Sequence, residues 1–299
     1  KFNLVELGAG NGEMMKSLIS TFNQFPKFKS ACKIYILEKS NFLKKKQKEN
    51  INSPKIKWLK NLNELNKDPN IFVANEFFDA LPIKQFIKKD NNWYERYVDL
   101  TNIKNAHYTD VLFDMKKMEK KINLDLSRDQ NFIEYSPEGT NYLRLISSKI
   151  KINNGALLIL DYGYFAKKIK NTIQAISNHK STNVLTNIGK SDITHNISFN
   201  LFKKIVEKLG YINSVSTNQG EFLLKMGIIE RAEILSKKLT FKKKADIFFR
   251  LKRLIDKNEM GEHFKVMLII NKKNKFRLGF WDDKVKKIGC IQRYTSWLF

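Results

Sequence analysis

Three glycines at alternate positions, Gly8, Gly10 and Gly12, stand between a short apolar run and a segment with helical periodicity. Such a loop lets a ligand approach the backbone closely and directs free backbone N–H groups toward it. The dinucleotide fingerprint would need a glycine at position 13, where this chain has Glu13. The spacing therefore disfavours a dinucleotide. A tight turn that only packs a helix on a sheet is the alternative that involves no ligand.

Two acidic residues stand at the ends of the first two predicted strands, Glu6 inside the end of the first and Glu38 at the end of the second. A carboxylate beside the glycine loop suits a cationic amino-acid head group better than a pyrophosphate. A carboxylate that ends the second strand can accept hydrogen bonds from both hydroxyls of an adenosine ribose. These positions together predict a site for S-adenosyl-L-methionine, bound by Glu6, Gly8, Gly10, Gly12 and Glu38.

A further group of polar residues lies in segment 75–82, Asn-Glu-Phe-Phe-Asp-Ala-Leu-Pro, at the end of the predicted fourth strand. Ligands of open α/β sheets lie outside the carboxyl ends of the strands, so we expect Glu76 and Asp79 to face the methyl group of the cofactor. Asn75 is expected to contact the cofactor. Two carboxylates at this place can orient a cationic or poorly nucleophilic acceptor. Both could instead cap the N-terminus of a helix.

The elements that must position these residues alternate between strands and helices. The predicted strands are 2–7, 33–37, 56–59, 71–74, 155–161, 211–216 and 263–271. The fold class is therefore α/β, with a mostly parallel, doubly wound sheet of seven strands, the Rossmann-like fold of class I methyltransferases. Asp161 ends the most apolar of these strands, and we expect it to assist catalysis.

A single domain is expected over residues 1–299, because no linker or fixed-period repeat divides the chain. Its core strands and helices are predicted in 1–83, 130–165, 201–218 and 259–275. Substrate-binding insertions are predicted at about 84–129, 166–200 and 219–258. The last insertion contains segment 241–257, whose pattern predicts a basic surface helix with its apolar stripe packed inward. A contact for an acidic partner or a lipid surface is the alternative for this helix.

The net charge follows from 55 basic and 30 acidic side chains, 55 − 30 = +25. A charge of this sign often indicates nucleic-acid binding. Here only 8 of the 55 basic residues are arginine, and the lysines are scattered through the whole chain together with asparagine and isoleucine. Phosphate and base recognition favour arginine forks. We therefore interpret the charge as a solvated lysine-rich surface, which disfavours nucleic acid as a partner.

The cysteines, histidines and apolar runs of the sequence indicate the compartment and the cofactors. Cys32 and Cys290 form no Cys-x-x-Cys pair, which indicates a reducing compartment. We expect the bacterial cytoplasm, with the mitochondrial matrix as the alternative. His107, His179 and His263 lack the spacing of metal ligands, so no metal site is expected. No apolar run approaches the roughly 18 to 20 residues of a membrane span.

Seven motifs stand in the order typical of one family, and the chain resembles the MidA-type methyltransferases. The motifs occupy 6–12, 75–82, 135–137, 160–163, 192–194, 219–223 and 260–266. The resemblance covers nearly the whole chain, and the motif at 75–82 is highly specific. It implies an S-adenosyl-L-methionine-dependent protein-arginine methyltransferase, since the family includes a mitochondrial complex I assembly factor that methylates an arginine. The implied protein substrate is the complex I subunit that lines the quinone cavity.

A mechanism for arginine follows from the high pKa of guanidinium, above about 12, which makes it a poor nucleophile. A carboxylate can hold the acceptor nitrogen in line and stabilise the charge as the proton is lost. We expect Glu76 in this role, assisted by Asp79 or Asp161. Two other classes stay open: a complex I assembly chaperone that methylates nothing, and a nucleic-acid methyltransferase. The oligomeric state is also open, a homodimer included.

The chain departs from the family pattern in two places. Family members carry a segment before the glycine loop, with Tyr-Gly-Tyr-Tyr and Gly-Asp-Phe stretches, and this chain is expected to lack it. In segment 192–198 the family has a histidine one position later than His195. The correspondence therefore extends to Asp192, and His195 has no assigned role.

Overall fold

The computed structural model describes residues 1–101, 106–177, 180–186, 188–210 and 212–280. Cys290, His179 and the first residue of the predicted strand 211–216 lie outside these ranges. The strands in the described part are β1 (Phe2–Leu7), β2 (Cys32–Leu37), β3 (Ile56–Leu59), β4 (Asn70–Asn75), β5 (Lys84–Lys89), β6 (Asn92–Asp99), β7 (His107–Phe113), β8 (Phe132–Tyr135), β9 (Gly155–Tyr164), β10 (Gln174–Ser177), β11 (Lys180–Thr182), β12 (Asp192–Thr194), β13 (Ile197–Ser198), β14 (Ile212–Asn218) and β15 (Phe264–Asn271). The helices are α1 (Glu13–Phe22), α2 (Pro26–Ala31), α3 (Asn41–Ile51), α4 (Met115–Ile122), α5 (Pro137–Asn153), α6 (Phe199–Lys208), α7 (Gln219–Lys225), α8 (Ile228–Ser236), α9 (Phe241–Ile255) and α10 (Met260–His263), with a short 3₁₀ turn at Leu62–Glu64.

The central sheet has the order β14-β15-β9-β4-β1-β2-β3, and β13 adds a short pairing to β9. The pairings between β1 and β2, β1 and β4, β2 and β3, and β4 and β9 are parallel, whereas β15 runs antiparallel to both of its neighbours. The predicted α/β class with a mostly parallel central sheet is therefore confirmed, and β13 adds an eighth strand to the seven that were predicted. Chain order reverses between β1 and β4, which makes their carboxyl ends the switch point where such sheets bind ligands.

Successive side chains of β1 point to opposite faces of the central sheet, and each face is covered by its own apolar cluster. Val5 and Leu7 belong to a large apolar cluster that also contains residues of α5 and α6. Leu4 belongs to a smaller cluster that contains residues of α1 and α3. Phe72 of β4 is fully buried in the large cluster, and truncation of such a side chain to alanine costs about 3–5 kcal/mol. Packing on both faces thus holds the strand ends of the site in place.

Two smaller sheets lie outside the central sheet, although Phe86 of β5 and Ile133 of β8 belong to the large apolar cluster. An antiparallel sheet has the order β7-β6-β5-β8, and a three-stranded sheet has the order β11-β10-β12. The first extends past the predicted insertion 84–129, because the backbone of β8 pairs with β5 and not with a strand of the central sheet. The interpretation of the whole chain as one domain with insertions stays a prediction.

Helix α9 differs from its prediction in how its apolar residues are covered. The predicted inward stripe consists of Ala245, Phe248, Leu251, Leu254 and Ile255; Leu251 is buried, but Ala245 and Phe248 are exposed. The helix packs against α7, α8 and α10, and this packing buries its C-terminal half better than its first turns. In the described part of the chain, no helix is both long and apolar enough to cross a membrane.

Candidate cofactor and acceptor site

The glycine loop joins β1 to α1 with three left-handed backbone positions. Gly8, Gly10 and Gly12 have φ of 63°, 52° and 84°, a region that side chains disfavour. A Cβ on Gly8 would lie 2.9 Å from Cδ2 of Phe77, so the loop packs tightly on the segment after β4. A Cβ on Gly10 would meet no described atom within 4 Å. The space beside the middle of the loop is thus open, next to the first turn of α1.

Glu6 is a buried carboxylate directly below this loop. Its side chain lies on the face of the sheet that α1 and α3 cover, and the residue is only 2% exposed. Oε2 of Glu6 has no hydrogen-bond partner among the described residues. Burial raises the pKa of Glu6 to about 7. A buried carboxylate without a partner is costly, and a cationic ligand would offset that cost.

Glu38 follows β2 and is held by residues of the next helix. Its Oε1 accepts a hydrogen bond from the backbone N–H of Ser40 at 2.9 Å, and Oε2 accepts one from Nε2 of Gln47 at 3.1 Å. The Ser40 hydroxyl in turn caps α3 by accepting from the backbone N–H of Leu43. The carboxylate therefore has a fixed orientation at the carboxyl end of β2.

Gln47 is a site residue that the sequence prediction missed. It is fully buried, donates from Nε2 to the carbonyl of Gly10 at 2.9 Å, and accepts at Oε1 from Nε1 of Trp58 at 2.8 Å. Gln47 and Ile51 are the two buried residues of α3, four positions apart. A glutamine on the apolar stripe of an otherwise charged helix was the signal that could have revealed it.

Glu76 is the first residue after β4 and has a left-handed backbone with φ of 47°. Its backbone N–H donates to the carbonyl of Leu160 at 3.0 Å, which fixes the conformation against β9. The Glu76 side chain is exposed, and its Oε1 accepts a hydrogen bond from Nδ2 of Asn75 at 3.3 Å. A left-handed non-glycine residue at this place stores backbone strain beside the glycine loop.

Asp79 and Asp161 form a buried acidic pair next to Glu76. Asp161 is fully buried; its Oδ2 accepts from the backbone N–H groups of Phe78 at 3.0 Å and Asp79 at 3.4 Å, and its Oδ1 from that of Tyr162 at 2.9 Å. Asp79 is 4% exposed, and its Oδ1 has no partner among the described residues. Burial, followed by the charge of Glu76, raises the pKa of Asp79 to about 6. Burial, followed by the charge of Asp79, also raises the pKa of Asp161.

The predicted site residues meet along one edge of the central sheet. Glu6 and the glycines extend from β1, Glu38 from β2, Asn75, Glu76 and Asp79 from β4, and Asp161 from β9. The residues after Glu76 form turns up to β5, so helix capping does not account for Glu76 or Asp79. The catalytic and cofactor-binding roles of these residues stay predictions.

His195 lies behind the same loop. Its backbone N–H donates to the carbonyl of Asp79 at 3.1 Å, and its Nε2 has no partner among the described residues. Burial lowers the pKa of this imidazole, so it is neutral at pH 7. Within the described ranges, no group of three or more histidine, cysteine or acidic side chains could hold a metal ion.

The chain is similar to known methyltransferases. A family model described as "Putative S-adenosyl-L-methionine-dependent methyltransferase" matches residues 1–215. The curated protein arginine methyltransferase NDUFAF7, mitochondrial, of Xenopus tropicalis is 26% identical over 293 residues, which cover 89% of this chain and 67% of the relative. The human protein of the same name is 27% identical over 296 residues, covering 90% and 66%. The chain thus spans about two thirds of the length of these relatives.

Two solved structures from Burkholderia thailandensis share the fold. One has a TM-score of 0.77 at 20% identity and covers 95% of this chain and 77% of its own. The other, a likely methyl transferase bound to S-adenosyl-homocysteine, has a TM-score of 0.76 at 20% identity and covers 95% and 74%. At this identity the similarity establishes the fold.

Proposed function

Because the chain belongs to the family of S-adenosyl-L-methionine-dependent methyltransferases whose model matches residues 1–215, we propose that it methylates a guanidinium nitrogen of a protein arginine. The observation that carries this proposal is the cluster of carboxylates at the carboxyl ends of β1, β4 and β9. Glu6, Asp79 and Asp161 are each less than 5% exposed in a chain of net charge +25. A group of buried carboxylates inside a basic protein favours cationic ligands.

The residues present fit the cofactor. Oε2 of Glu6 lacks a partner, and the space beside Gly10 is free of described atoms within 4 Å of a Cβ position. We expect Glu6 to lie near the amino group, the loop N–H groups near the amino-acid carboxylate, and Glu38 at the ribose hydroxyls. When bound, S-adenosyl-L-methionine supplies a methyl group on a sulfonium sulfur, which is an electrophile.

The acceptor side of the proposal involves Glu76 and Asp79. The exposed carboxylate of Glu76 can form paired hydrogen bonds with a guanidinium fork and hold one nitrogen in line. Asp79 presents an unpartnered Oδ1 and has a pKa of about 6, so it can take up the proton that the guanidinium releases at neutral pH. Asp161 positions both through the backbone of Phe78 and Asp79.

The proposal of a protein arginine as substrate is based on the names of the curated relatives, which are protein arginine methyltransferases. Together with the resemblance at 75–82, this supports a protein substrate, and we propose the complex I subunit that lines the quinone cavity. The names also state that these relatives are mitochondrial. We propose a bacterial cytoplasm or a mitochondrial matrix as the location, since both are reducing.

The decisive experiment incubates the chain with S-adenosyl-L-methionine and the quinone-cavity subunit, then maps modified residues by mass spectrometry. We expect methyl groups on one or more arginines. Cofactor binding without a new methyl group on arginine would contradict the proposal and favour the assembly chaperone. Methylation of RNA offered in a parallel reaction, with the protein left unmodified, would favour the nucleic-acid methyltransferase.

A further inference from the structure

We propose that Gln47 is a positioning residue that couples the glycine loop to Glu38, so that ribose recognition depends on a buried amide in α3. This inference rests on the proposed cofactor site and adds to it a residue that contacts neither the methyl group nor the acceptor. Three side-chain contacts of Gln47 carry the argument, and each goes to a different part of the site.

Both N–H groups of the Gln47 side-chain amide donate hydrogen bonds. Nε2 lies 2.9 Å from the carbonyl oxygen of Gly10 and 3.1 Å from Oε2 of Glu38. A primary amide has two N–H donors, so one donor serves each acceptor. Gln47 is fully buried, so its amide satisfies both donors within the protein and not with solvent. The amide therefore links the middle of the glycine loop to the carboxylate that follows β2.

Trp58 of β3 determines which way this amide faces. Its indole Nε1 is a donor only, and it lies 2.8 Å from Oε1 of Gln47. A rotated amide would place Oε1 against the Gly10 and Glu38 oxygens and N–H groups against the indole N–H. Both contacts would be repulsive, so Trp58 selects the orientation in which Nε2 faces the site.

The contact with Gln47 fixes the orientation of the Glu38 carboxylate. Each of its carboxylate oxygens accepts one protein donor, the backbone N–H of Ser40 at Oε1 and Nε2 of Gln47 at Oε2. These two bonds fix the plane of the carboxylate and leave a lone pair on each oxygen for a ribose hydroxyl. Without Gln47, the carboxylate can rotate about its side-chain torsions, and the pre-organisation for two adjacent hydroxyls is lost.

The same helix offers a matched control in Asn50. Its Nδ2 donates to the carbonyl of Asn11 at 3.0 Å, in the same loop, and to Oε1 of Glu13. These contacts are exposed, and none of them involves Glu38. If tethering the loop to α3 were sufficient, Asn50 and Gln47 would have equal effects.

The test titrates the full chain with S-adenosyl-homocysteine and with its 2′-deoxyribose analogue by calorimetry. For Gln47→Met we expect the dissociation constant of S-adenosyl-homocysteine to rise about 10- to 100-fold, and the preference for ribose over deoxyribose to shrink toward one. Trp58→Phe should act in the same direction by about 3- to 10-fold, since it removes only the orienting donor. In turnover assays, the KM for the cofactor should rise while kcat at saturation stays within about threefold.

The role of Gln47 can fail while the proposed cofactor site stands, and the control variant Asn50→Ala distinguishes the two cases. Asn50→Ala should shift affinity by less than about threefold and keep the wild-type ribose preference. An unchanged ribose preference in Gln47→Met and Trp58→Phe, or an equal loss in Asn50→Ala, would overturn the inference while cofactor binding stands. If the wild-type chain bound neither nucleoside, the cofactor site and this inference would fail together. Should Gln47→Met not fold, as circular dichroism would reveal, Trp58→Phe alone decides.

Discussion

Asp161 accepts a hydrogen bond at Oδ2 from the backbone N–H of Phe78 across 3.0 Å, and this bond ties the loop after β4 to β9. The partners are 83 residues apart in sequence and both are fully buried. The loop so held begins with Glu76 and includes Asp79, the two carboxylates assigned to the acceptor. The position of both acceptor groups therefore depends on a residue of a different strand.

Replacement of Asp161 tests this dependence. Asp161→Ala leaves the buried N–H groups of Phe78 and Asp79 without an acceptor, and we expect a loss of about 1–3 kcal/mol in the free energy of unfolding. Asp161→Asn should lose less, because its amide oxygen still accepts and its repulsion with Asp79 is gone. Urea unfolding followed by circular dichroism at pH 7 measures both. The exposed Asp246→Ala on α9 should change stability by less than about 0.5 kcal/mol, and an equal effect at Asp161 would contradict the assignment.

Glu6 gives the unliganded protein a pH-dependent stability. Its pKa is about 7 in the folded chain against 4.5 as the ordinary value. Between these values the folded state holds a proton that the unfolded state has released, so the contribution of Glu6 to stability is most favourable below pH 4.5 and is lost as pH rises to about 7. Glu6→Gln lacks this titration. At pH 8 the variant should be more stable than wild type by up to about 3 kcal/mol, and the difference should vanish near pH 4.5.

Thermal or urea unfolding of wild type and Glu6→Gln across pH 4.5 to 8 checks this expectation. Only the difference between the two chains matters, because all other titrating groups are shared. A difference that does not change with pH would show that Glu6 is already paired in the folded protein. The same variant should bind S-adenosyl-homocysteine more weakly than wild type at pH 8, because the cationic amino group loses its charged partner.

The central sheet and the strand-end residues were predictable because their signals are local. Periodicity marks each strand, and Gly8, Gly10 and Gly12 are needed where the backbone is left-handed. A parallel sheet then brings the carboxyl ends of its strands to one edge, which is why the sequence predicts Glu6 and Glu76 at the same edge.

The features that the sequence did not reveal depend on contacts between distant segments. The hydrogen bond from Trp58 to Gln47 joins β3 to α3. The spacing of Gln47 from Ile51 indicates the buried face of α3, but it does not indicate which residues the amide contacts. The pairing of β8 with β5 depends on which sheet edge is free, which no local pattern encodes. The exposure of Phe248 has the same origin, because an apolar stripe does not specify how much of the helix its neighbours cover.

Gly10 allows the space for the cofactor to be tested apart from backbone strain. Gly10 and Gly210 have φ of 52° and 61°, and a Cβ on either would meet no described atom within 4 Å. Each substitution by alanine should therefore cost a similar amount, about 1 kcal/mol, in the free energy of unfolding. Gly10→Ala alone should weaken S-adenosyl-homocysteine binding, by at least about tenfold, because the new methyl group occupies the ligand space. Equal binding by both variants in calorimetry would contradict the placement of the cofactor at Gly10.

Glu76 combines a strained backbone with the carboxylate assigned to the acceptor, and two substitutions separate these properties. Glu76→Gln keeps the left-handed strain at φ of 47° and removes the charge; we expect turnover on the protein substrate to fall by about 100-fold or more with cofactor affinity within about threefold. Glu76→Gly removes the side chain and relieves the strain, so the free energy of unfolding should rise by about 0.5–1 kcal/mol while turnover falls as far as in Glu76→Gln.

Such a gain in stability with a loss of activity is the pattern expected where a fold retains strain for a functional group. Single-turnover methylation, calorimetry with S-adenosyl-homocysteine and urea unfolding on the same preparations give the three quantities. If Glu76→Gln kept the wild-type rate, the acceptor carboxylate would have to be Asp79, whose unpartnered Oδ1 is the nearest alternative in the same loop. If Glu76→Gly were less stable than wild type, the contact of the Glu76 side chain with Asn75 and the entropic cost of glycine would together outweigh the relief of strain.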